Sequence, residues 1–349
     1  MAHPGKGFRL RRSARSNTGR VRDNNEDRVH IFGHDHTLIA IVADGMGGAV
    51  AGEEASRIAV EVIQDGFIDS NGKFPGGYSD LDSEQVADRL RKVINNANNQ
   101  IVQESEFRPE LKGMGTTVTM AFIRDNLAIV GHVGDSRAYL IDGEDGEIQQ
   151  VTTDHSFVQA LVTAGHITQE EAEDHPMGNV LYRALGQADD VDVDVYYQNL
   201  TIGDRLILCS DGLTLHVKPT EIAQIVLASK SPGEASQKLI DTANERGGRD
   251  NVSAIVVKLE RIEPDQLDDF DEDASDVEFF DEDTLIIGKR PTPLDDANLP
   301  MSSERDNLQM TLEESAVILR SQRHSDIALN NSNESSIEYS GEGQDKTKQ

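Results

Sequence analysis

The alternation of apolar and polar positions divides the chain into short strands and longer helices. Short segments rich in Val, Ile and Leu are typical of buried strands. They lie near residues 39–43, 116–123, 127–133, 137–141, 206–209 and 252–259. Longer segments repeat apolar residues at helical spacing. These predicted helices cover residues 55–67, 83–104, 220–229 and 232–245.

Several predicted strands follow one another with no helix between them. The Asp125-Asn126 pair separates two apolar runs by a two-residue turn, and so short a connection joins antiparallel strands. We therefore expect an α+β fold built in layers, and not the regular βαβ alternation of a parallel sheet. No internal repeat is evident.

Composition changes near residue 261, where the last predicted strand gives way to a dense run of acids. We expect a main domain over residues 8–260 and an acidic, largely disordered tail over residues 261–349, because the tail has too few large apolar residues to offset the entropy of ordering it. Residues 311–324 form a possible short helix that begins with capping-box spacing. That helix could bind a partner, or it could be transient and without function.

Charge and composition exclude several classes of partner and site. The 349 residues carry a formal net charge of -30, which disfavours nucleic acid and anionic membrane surfaces as partners. Cys209 is the sole cysteine, so an intramolecular disulfide and a thiolate metal cluster are excluded. The longest apolar run, residues 38–43, is too short to span a bilayer. We expect a soluble, cytoplasmic monomer.

Four aspartates lie at the ends of apolar runs. They are Asp44 in IAIVADGMGG, Asp135 in AIVGHVGDSRAY, Asp211 in RLILCSDG and Asp250 in GGRDNVSAIVV. A carboxylate at the end of a buried strand is held on rigid backbone at the edge of the core, and several that converge would repel one another unless cations intervened. Because hard oxygen ligands favour Mg²⁺ or Mn²⁺, the pattern indicates a divalent metal site.

Eight sequence blocks occur in the order seen in one enzyme family. They are GRVRDNNED, VADGMGG, GMGTTV, GHVGDSRAYL, VTTDHS, NVLYRALG, LILCSDGL and GGRDNVSAIVV. Over roughly residues 8–259 the chain resembles the metal-dependent protein phosphatases of type 2C, in particular their bacterial branch. The resemblance implies two antiparallel sheets in a central sandwich flanked by helices, and two or three Mn²⁺ or Mg²⁺ ions at one end of it. It also implies hydrolysis of phosphoserine and phosphothreonine.

The resemblance and the chemistry of phosphate esters together suggest roles for the acids. Asp44 is the expected bridging carboxylate, because one acid reaching two cations explains why glycines follow it and leave the backbone uncrowded. The Gly45 carbonyl can then act as a ligand. In the family pattern Asp211 and Asp250 complete the shell of one metal, while Asp135 together with Asp211 holds a third ion. Glu26 and Asp27 would act through metal-bound waters.

Each of these residues also has a purely structural interpretation. An Asp before Gly, as at positions 44 and 211, ordinarily forms a turn or caps a helix. Asp250 could begin a strand-entry turn, and Asp135 could form a hairpin bend. Asp27 could pair with the arginine that follows it.

Arg22 lies four residues before Glu26, where the family has the arginine that grips the substrate phosphate. Its planar guanidinium suits a phosphate oxyanion. The alternative is a surface arginine in an N-terminal region that contains several others.

The leaving alkoxide needs a proton, and a histidine near the metals would be a natural donor at neutral pH. Eukaryotic relatives have His directly after the Asp-Gly pair, where this chain has Met46, and many bacterial members have His where it has Ala49. His155 is the best remaining candidate. The alternatives are that His155 only makes hydrogen bonds within a loop, and that a metal-bound water donates the proton.

Residues 156–190 match the flap that relatives place beside the cleft, and this segment is expected to influence substrate choice. Tyr182 occupies a position where a smaller hydroxyl residue is expected in the pattern NVLTRALG. The larger ring could change how the flap packs, or it could be a harmless substitution.

Two functions from different classes remain open at this stage. In the first, the chain is an active phosphatase that acts on phosphorylated proteins and opposes a bacterial-type Ser/Thr protein kinase. In the second, it is a catalytically weak binding or scaffold module that acts through its phosphate pocket or acidic tail. The complete acid set favours the first, and the missing histidines are the only sequence feature that supports the second.

Overall fold

The computed structural model describes residues 7–34, 36–68, 81–173 and 175–262. The strands in this part are β1 (Phe8–Asn17), β2 (Asp27–His34), β3 (Thr37–Met46), β4 (Gly115–Thr116), β5 (Val118–Arg124), β6 (Leu127–Val133), β7 (Arg137–Ile141), β8 (Ile148–Gln150), β9 (Asp194–Asn199), β10 (Arg205–Cys209) and β11 (Val252–Arg261). The helices are α1 (Ala49–Phe67), α2 (Ser83–Phe107), α3 (Phe157–Thr163), α4 (Gln169–Glu173), α5 (Asp211–Thr214), α6 (Pro219–Ala228) and α7 (Pro232–Glu245), and a 3₁₀ turn covers Pro109–Leu111.

The strands form two antiparallel sheets. One has the order β1-β11-β10-β7-β8, and the other has the order β2-β3-β5-β6-β9 with β4 paired to β3. The β5–β6 hairpin turns at Asp125, whose positive φ of 57° is a conformation that Asp and Asn tolerate better than most residues. The turn expected at Asp125-Asn126 is therefore confirmed, together with the antiparallel pairing it predicted.

Strand β3 shows how the layers are held together, because it is buried on both faces. Alternate residues of a strand point to opposite sides of the sheet. Leu38, Ala40 and Val42 belong to the core between the two sheets. Ile39 and Ile41 belong to a second core beneath α1 and α2.

A third core packs α6 and α7 onto the outer face of the other sheet. The order of layers is thus helix, sheet, sheet, helix, which confirms the predicted α+β sandwich with flanking helices. The tail predicted from residue 261, including the possible helix at 311–324, lies outside the described residues from position 263 onward. No helix in the described ranges is long and apolar enough to cross a membrane.

Strands β1, β2, β8 and β9 are missing from the strands that the apolar pattern predicts, and β1 is the longest of them. Its sequence, FRLRRSARSN, is rich in arginine, yet it pairs along its whole length with β11. Leu10 and Ala14 contribute to the core between the sheets. The pairing supplies the backbone hydrogen bonds, so a few apolar residues on one face suffice to hold the strand. β1 leads into the turn that carries Arg22, and this places the N-terminal segment beside the ends of β3 and β11.

Candidate active site

Asp44 lies near the end of β3, and its main chain is fixed from a neighbouring segment. Its carbonyl accepts hydrogen bonds from the Thr117 amide at 2.8 Å and from the Thr116 hydroxyl at 2.9 Å, and its amide donates to the Thr117 hydroxyl at 3.1 Å. The backbone then turns through Gly47 and Gly48, both at positive φ, into α1. A strand end held in this way positions the carboxylate at a rigid edge of the core.

Asp27 lies opposite Asp44 in the β2–β3 pair and is almost completely buried. One of its carboxylate oxygens accepts hydrogen bonds from Ser210 at 2.8 Å and from Ser253 at 2.7 Å. Burial raises the pKa of Asp27 to about 7, although these two hydroxyl donors favour the ionised form. Because Ser210 precedes Asp211 and Ser253 follows Asp250 by three residues, Asp27 ties together the segments that carry two other acids.

Asp211 begins α5 directly after β10, Asp250 precedes β11, and Asp135 lies in the loop between β6 and β7. Together with Asp44 they line one cleft of about 430 Å³. The structure therefore brings together all four aspartates that the sequence singled out, from segments more than 200 residues apart.

Burial and, after it, neighbouring charges raise the pKa values of three of these acids. The pKa values of Asp44 and Asp135 are raised well above the ordinary range, first by burial and then by the charges of neighbouring aspartates. The pKa of Asp211 is also raised, first by burial and then by the charge of Asp250. Carboxylates that raise one another's pKa form a site where a bound cation relieves repulsion.

Arg22 reaches the same cleft from the β1–β2 turn. Its guanidinium donates a 2.7 Å hydrogen bond to Asp250, and about half of its side-chain surface is exposed. This hydrogen bond raises the pKa of Arg22. A partly exposed, permanently charged fork in an acid-lined cleft suits the binding of a phosphate group.

Glu26 and Gly45 also line the cleft. The Glu26 amide donates to the Asn251 side chain at 2.8 Å, and the Glu26 carbonyl accepts from the Gly45 amide at 3.2 Å. Burial raises the pKa of the Glu26 carboxyl. A Cβ on Gly45 would lie 2.1 Å from the carbonyl oxygen of Gly52, so only glycine fits here.

His155 does not line the cleft with the acids. Its Nδ1 accepts a hydrogen bond from the Gly134 amide at 3.0 Å, so the ring proton is on Nε2, which donates to Asp194 at 3.1 Å. The His155 amide in turn donates to the Gly134 carbonyl at 2.7 Å. Both ring nitrogens are thus engaged, and this geometry favours the loop-bonding alternative over proton donation. The contacts fix the residue that precedes Asp135.

Several residues that line or brace the cleft are not singled out by the sequence pattern. Thr117 supports Asp44, as described above, and its hydroxyl also lies 2.8 Å from that of Ser136. Asn251 binds the carbonyls of Thr18 and Asn24 through its side-chain amide. Arg183 lines the cleft. Position within the eight blocks was the only signal for these residues, because their partners are distant in sequence.

A sequence model of the protein phosphatase 2C family matches residues 18–244, a span that contains Arg22 and three of the four aspartates. The chain belongs to the protein phosphatase 2C family. This confirms the resemblance read from the eight blocks.

Relatives and solved structures agree with this assignment. The chain is 39% identical over 245 residues to "Serine/threonine phosphatase stp" of Listeria welshimeri, an alignment that covers 70% of this chain and 94% of that protein. It is 38% identical over 250 residues to "Serine/threonine protein phosphatase PstP" of Mycobacterium tuberculosis, covering 72% of this chain and 45% of that protein. The crystal structure of the M. tuberculosis phosphatase has a TM-score of 0.63 and 36% identity, and covers 72% of this chain and all of that one.

The chain is thus a serine/threonine phosphatase, and the catalytically weak binding module is not favoured. The family is metal-dependent. A crystal structure of the PstP catalytic domain is in complex with two manganese ions. Its TM-score to this chain is 0.62 at 35% identity, and the match covers 72% of this chain and 99% of that one.

The residues present fit divalent cations, because the donors at the cleft are oxygens and the carboxylates raise one another's pKa. In the described ranges no group of three or more His, Cys, Asp or Glu side chains is arranged so that it could hold one metal ion. Mg²⁺ commonly takes only one or two carboxylates and keeps several waters, so a group of three is not a requirement.

Proposed function

We propose that this cleft hydrolyses phosphoserine and phosphothreonine in proteins with two or three Mn²⁺ or Mg²⁺ ions. The convergence of Asp44, Asp135, Asp211 and Asp250 carries the proposal. These carboxylates and the Gly45 carbonyl would hold the ions, with Asp44 shared between two of them. When bound, such ions neutralise charge on phosphoryl oxygens and activate water as a nucleophile.

Arg22 would bind the phosphoryl oxygens of the substrate. Its hydrogen bond to Asp250 holds the guanidinium at the cleft, while the exposed half of the side chain leaves donors free for a ligand. A bidentate contact of this kind orients the ester for displacement in line with the leaving oxygen.

Glu26 and Asp27 would not bind the ions directly. They would orient the waters that surround the ions. Both are buried beside Asp44, and Asp27 is already braced by two serine hydroxyls. Outer residues of this kind commonly fix the orientation of metal ligands.

His155 has no part in proton transfer in this proposal, because its two ring nitrogens are used by Gly134 and Asp194. It acts instead as a positioning residue for the loop that carries Asp135. The hydrogen bonds on both sides of the ring hold this loop against the rest of the domain.

Phosphorylated Ser and Thr residues of proteins are made by protein kinases that use ATP. We therefore place the enzyme in the cytoplasm, where it opposes a Ser/Thr protein kinase. We also propose that it acts as a monomer. The relatives named above are serine/threonine phosphatases, which supports phosphoproteins as the substrate class.

The experiment is phosphate release from a phosphothreonine peptide by the full chain. We expect hydrolysis with Mn²⁺, loss of it with EDTA, and a fall of at least about 100-fold in Asp211→Asn, because a cation ligand is removed. Asp241→Asn is the matched control, since Asp241 is an exposed residue of α7 that does not line the cleft. Equal rates in all conditions would refute metal-dependent catalysis.

A further inference from the structure

Besides charged groups, the cleft has an apolar wall. Met46, Leu181, Tyr182 and Ala184 line it together with the aspartates and Arg22. Hydrolysis of a phosphate ester requires none of these side chains. An apolar wall continuous with the proposed phosphate site is placed to contact the peptide that carries the phosphate.

Tyr182 is the most exposed of these four side chains, with 56% of its surface accessible. Its ring nevertheless has two neighbours. The His155 ring lies 5.7 Å away between centroids, and the Arg183 guanidinium lies 5.8 Å from the centroid of the Tyr182 ring. Arg183 is itself held by Asp194, to which it donates at 2.8 Å.

The backbone around Tyr182 is fixed on both sides. The Tyr182 amide donates to the His155 carbonyl at 3.0 Å, and Leu181 forms a β-bridge with Ser156. Three residues further along, Leu185 forms a β-bridge with Thr116, whose hydroxyl donates a hydrogen bond to the Asp44 carbonyl. The backbone that carries the ring is therefore fixed before any substrate binds, which lowers the conformational entropy that contact with the ring would cost.

We propose that Tyr182 is a specificity-determining residue that contacts a substrate side chain within two positions of the phosphorylated residue and favours an apolar side chain there. The occupant of the apolar wall is the phosphopeptide itself, because the wall and the acids belong to one cleft. The inference rests on the proposed phosphatase function and narrows its substrate class to phosphorylated segments with an apolar neighbour.

The test compares matched phosphothreonine peptides in the presence of Mn²⁺. Each pair differs by Leu or Ser at one of the two positions on either side of the phosphothreonine. For at least one position we expect the kcat/KM of the wild-type chain to be roughly threefold to tenfold higher with Leu, the size of one partly buried apolar contact. Tyr182→Phe keeps this ratio because it keeps the ring, whereas Tyr182→Ala and Tyr182→Thr bring it close to one.

Tyr197→Ala is the matched control, because Tyr197 is an exposed tyrosine of β9 that is hydrogen-bonded to Glu84 and does not line the cleft. It should retain the wild-type ratio. A ratio that is unchanged in Tyr182→Ala, or a wild-type ratio near one at every position, would overturn the proposal. Hydrolysis of p-nitrophenyl phosphate by the wild-type chain distinguishes failure of the Tyr182 proposal from failure of the phosphatase function. Absence of this hydrolysis would contradict the phosphatase function itself.

Discussion

The guanidinium of Arg22 donates a 2.7 Å hydrogen bond to the carboxylate of Asp250, joining the first turn of the domain to the entry of its last strand. Each residue restrains the other at the cleft. Asp250 holds the arginine where a phosphate would bind, and the arginine offsets part of the negative charge that the acids accumulate. Arg22, the residue expected to bind the phosphate, and Asp250, an expected metal ligand, are therefore joined in one ion pair.

Replacement of Arg22 by Lys should weaken substrate binding although the charge is kept. Lysine is a point charge and cannot supply the paired donors of a guanidinium. We expect KM for a phosphothreonine peptide to rise by about tenfold, with a smaller change in kcat. Arg91→Lys, at an exposed position of α2, is the control. An unchanged KM would mean that Arg22 does not touch the phosphate.

Replacement of Gly45 by Ala should destabilise the fold, independently of any effect on metal ligation. The new Cβ would lie 2.1 Å from the Gly52 carbonyl oxygen. We expect a loss of about 1–3 kcal/mol in the free energy of unfolding, measured by urea denaturation, as for other overpacked sites. Gly7→Ala, where a Cβ has no neighbour within 4 Å, should show almost no change. Equal stability of the two variants would show that α1 can move to admit the methyl group.

His155→Asn tests whether the imidazole positions a loop or transfers a proton. The Asn carbonyl can still accept the hydrogen bond of the Gly134 amide, which the Nδ1 atom accepts in the wild type. We expect the variant to keep the shape of the wild-type pH profile of kcat, while His155→Ala loses about 1–3 kcal/mol of stability through an unpaired buried amide. If the alkaline limb of the profile disappears in His155→Asn, the histidine is the proton donor after all.

His132 gives a prediction about stability and pH. It is fully buried, and burial lowers its pKa to about 3, so it is neutral in the folded chain. In the unfolded chain it takes up a proton below pH about 6.5. The unfolded state then binds more protons, so folding stability falls as pH decreases from about 6.5 toward 3, by at most ~1.4 kcal/mol per pH unit.

The check is urea unfolding of wild type and His132→Gln between pH 7.5 and 5. The wild-type chain should lose stability more steeply than the variant below pH about 6.5, and the two slopes should agree above it. Parallel curves over the whole range would show that His132 is protonated in the folded state as well.

Many strands and helices could be predicted from the sequence, because the spacing of apolar residues within a segment depends on that segment alone. The observed bounds of β6, β7 and α7 are those that the pattern predicts. Strand β1 was not predicted because its arginines interrupt the apolar pattern. The β11 strand that pairs with it lies more than 200 residues away in the sequence. Strand β9 is partly exposed and less apolar, so its pairing with β6 was equally invisible.

In the site, too, the sequence predicts residues whose position depends on their own segment, and it does not predict roles that depend on residues distant in sequence. The aspartates could be named from strand ends, since a strand end fixes where its next side chain lies. The role of His155 could not be predicted from the sequence, because it depends on hydrogen bonds with Gly134 and Asp194 that form only in the folded chain. The hydrogen bonds that Ser210 and Ser253 donate to Asp27 are two further contacts between residues distant in sequence.

The most direct test of the central claim is a Mn²⁺ titration of the full chain, followed by the electron paramagnetic resonance signal of free Mn²⁺. We expect the wild-type chain to bind at least two ions, and we expect binding to weaken by at least about tenfold in Asp44→Asn, because the shared carboxylate is lost. Asp241→Asn should bind as the wild type does. Identical titrations of wild type and Asp44→Asn would contradict the claim that these aspartates hold the catalytic cations.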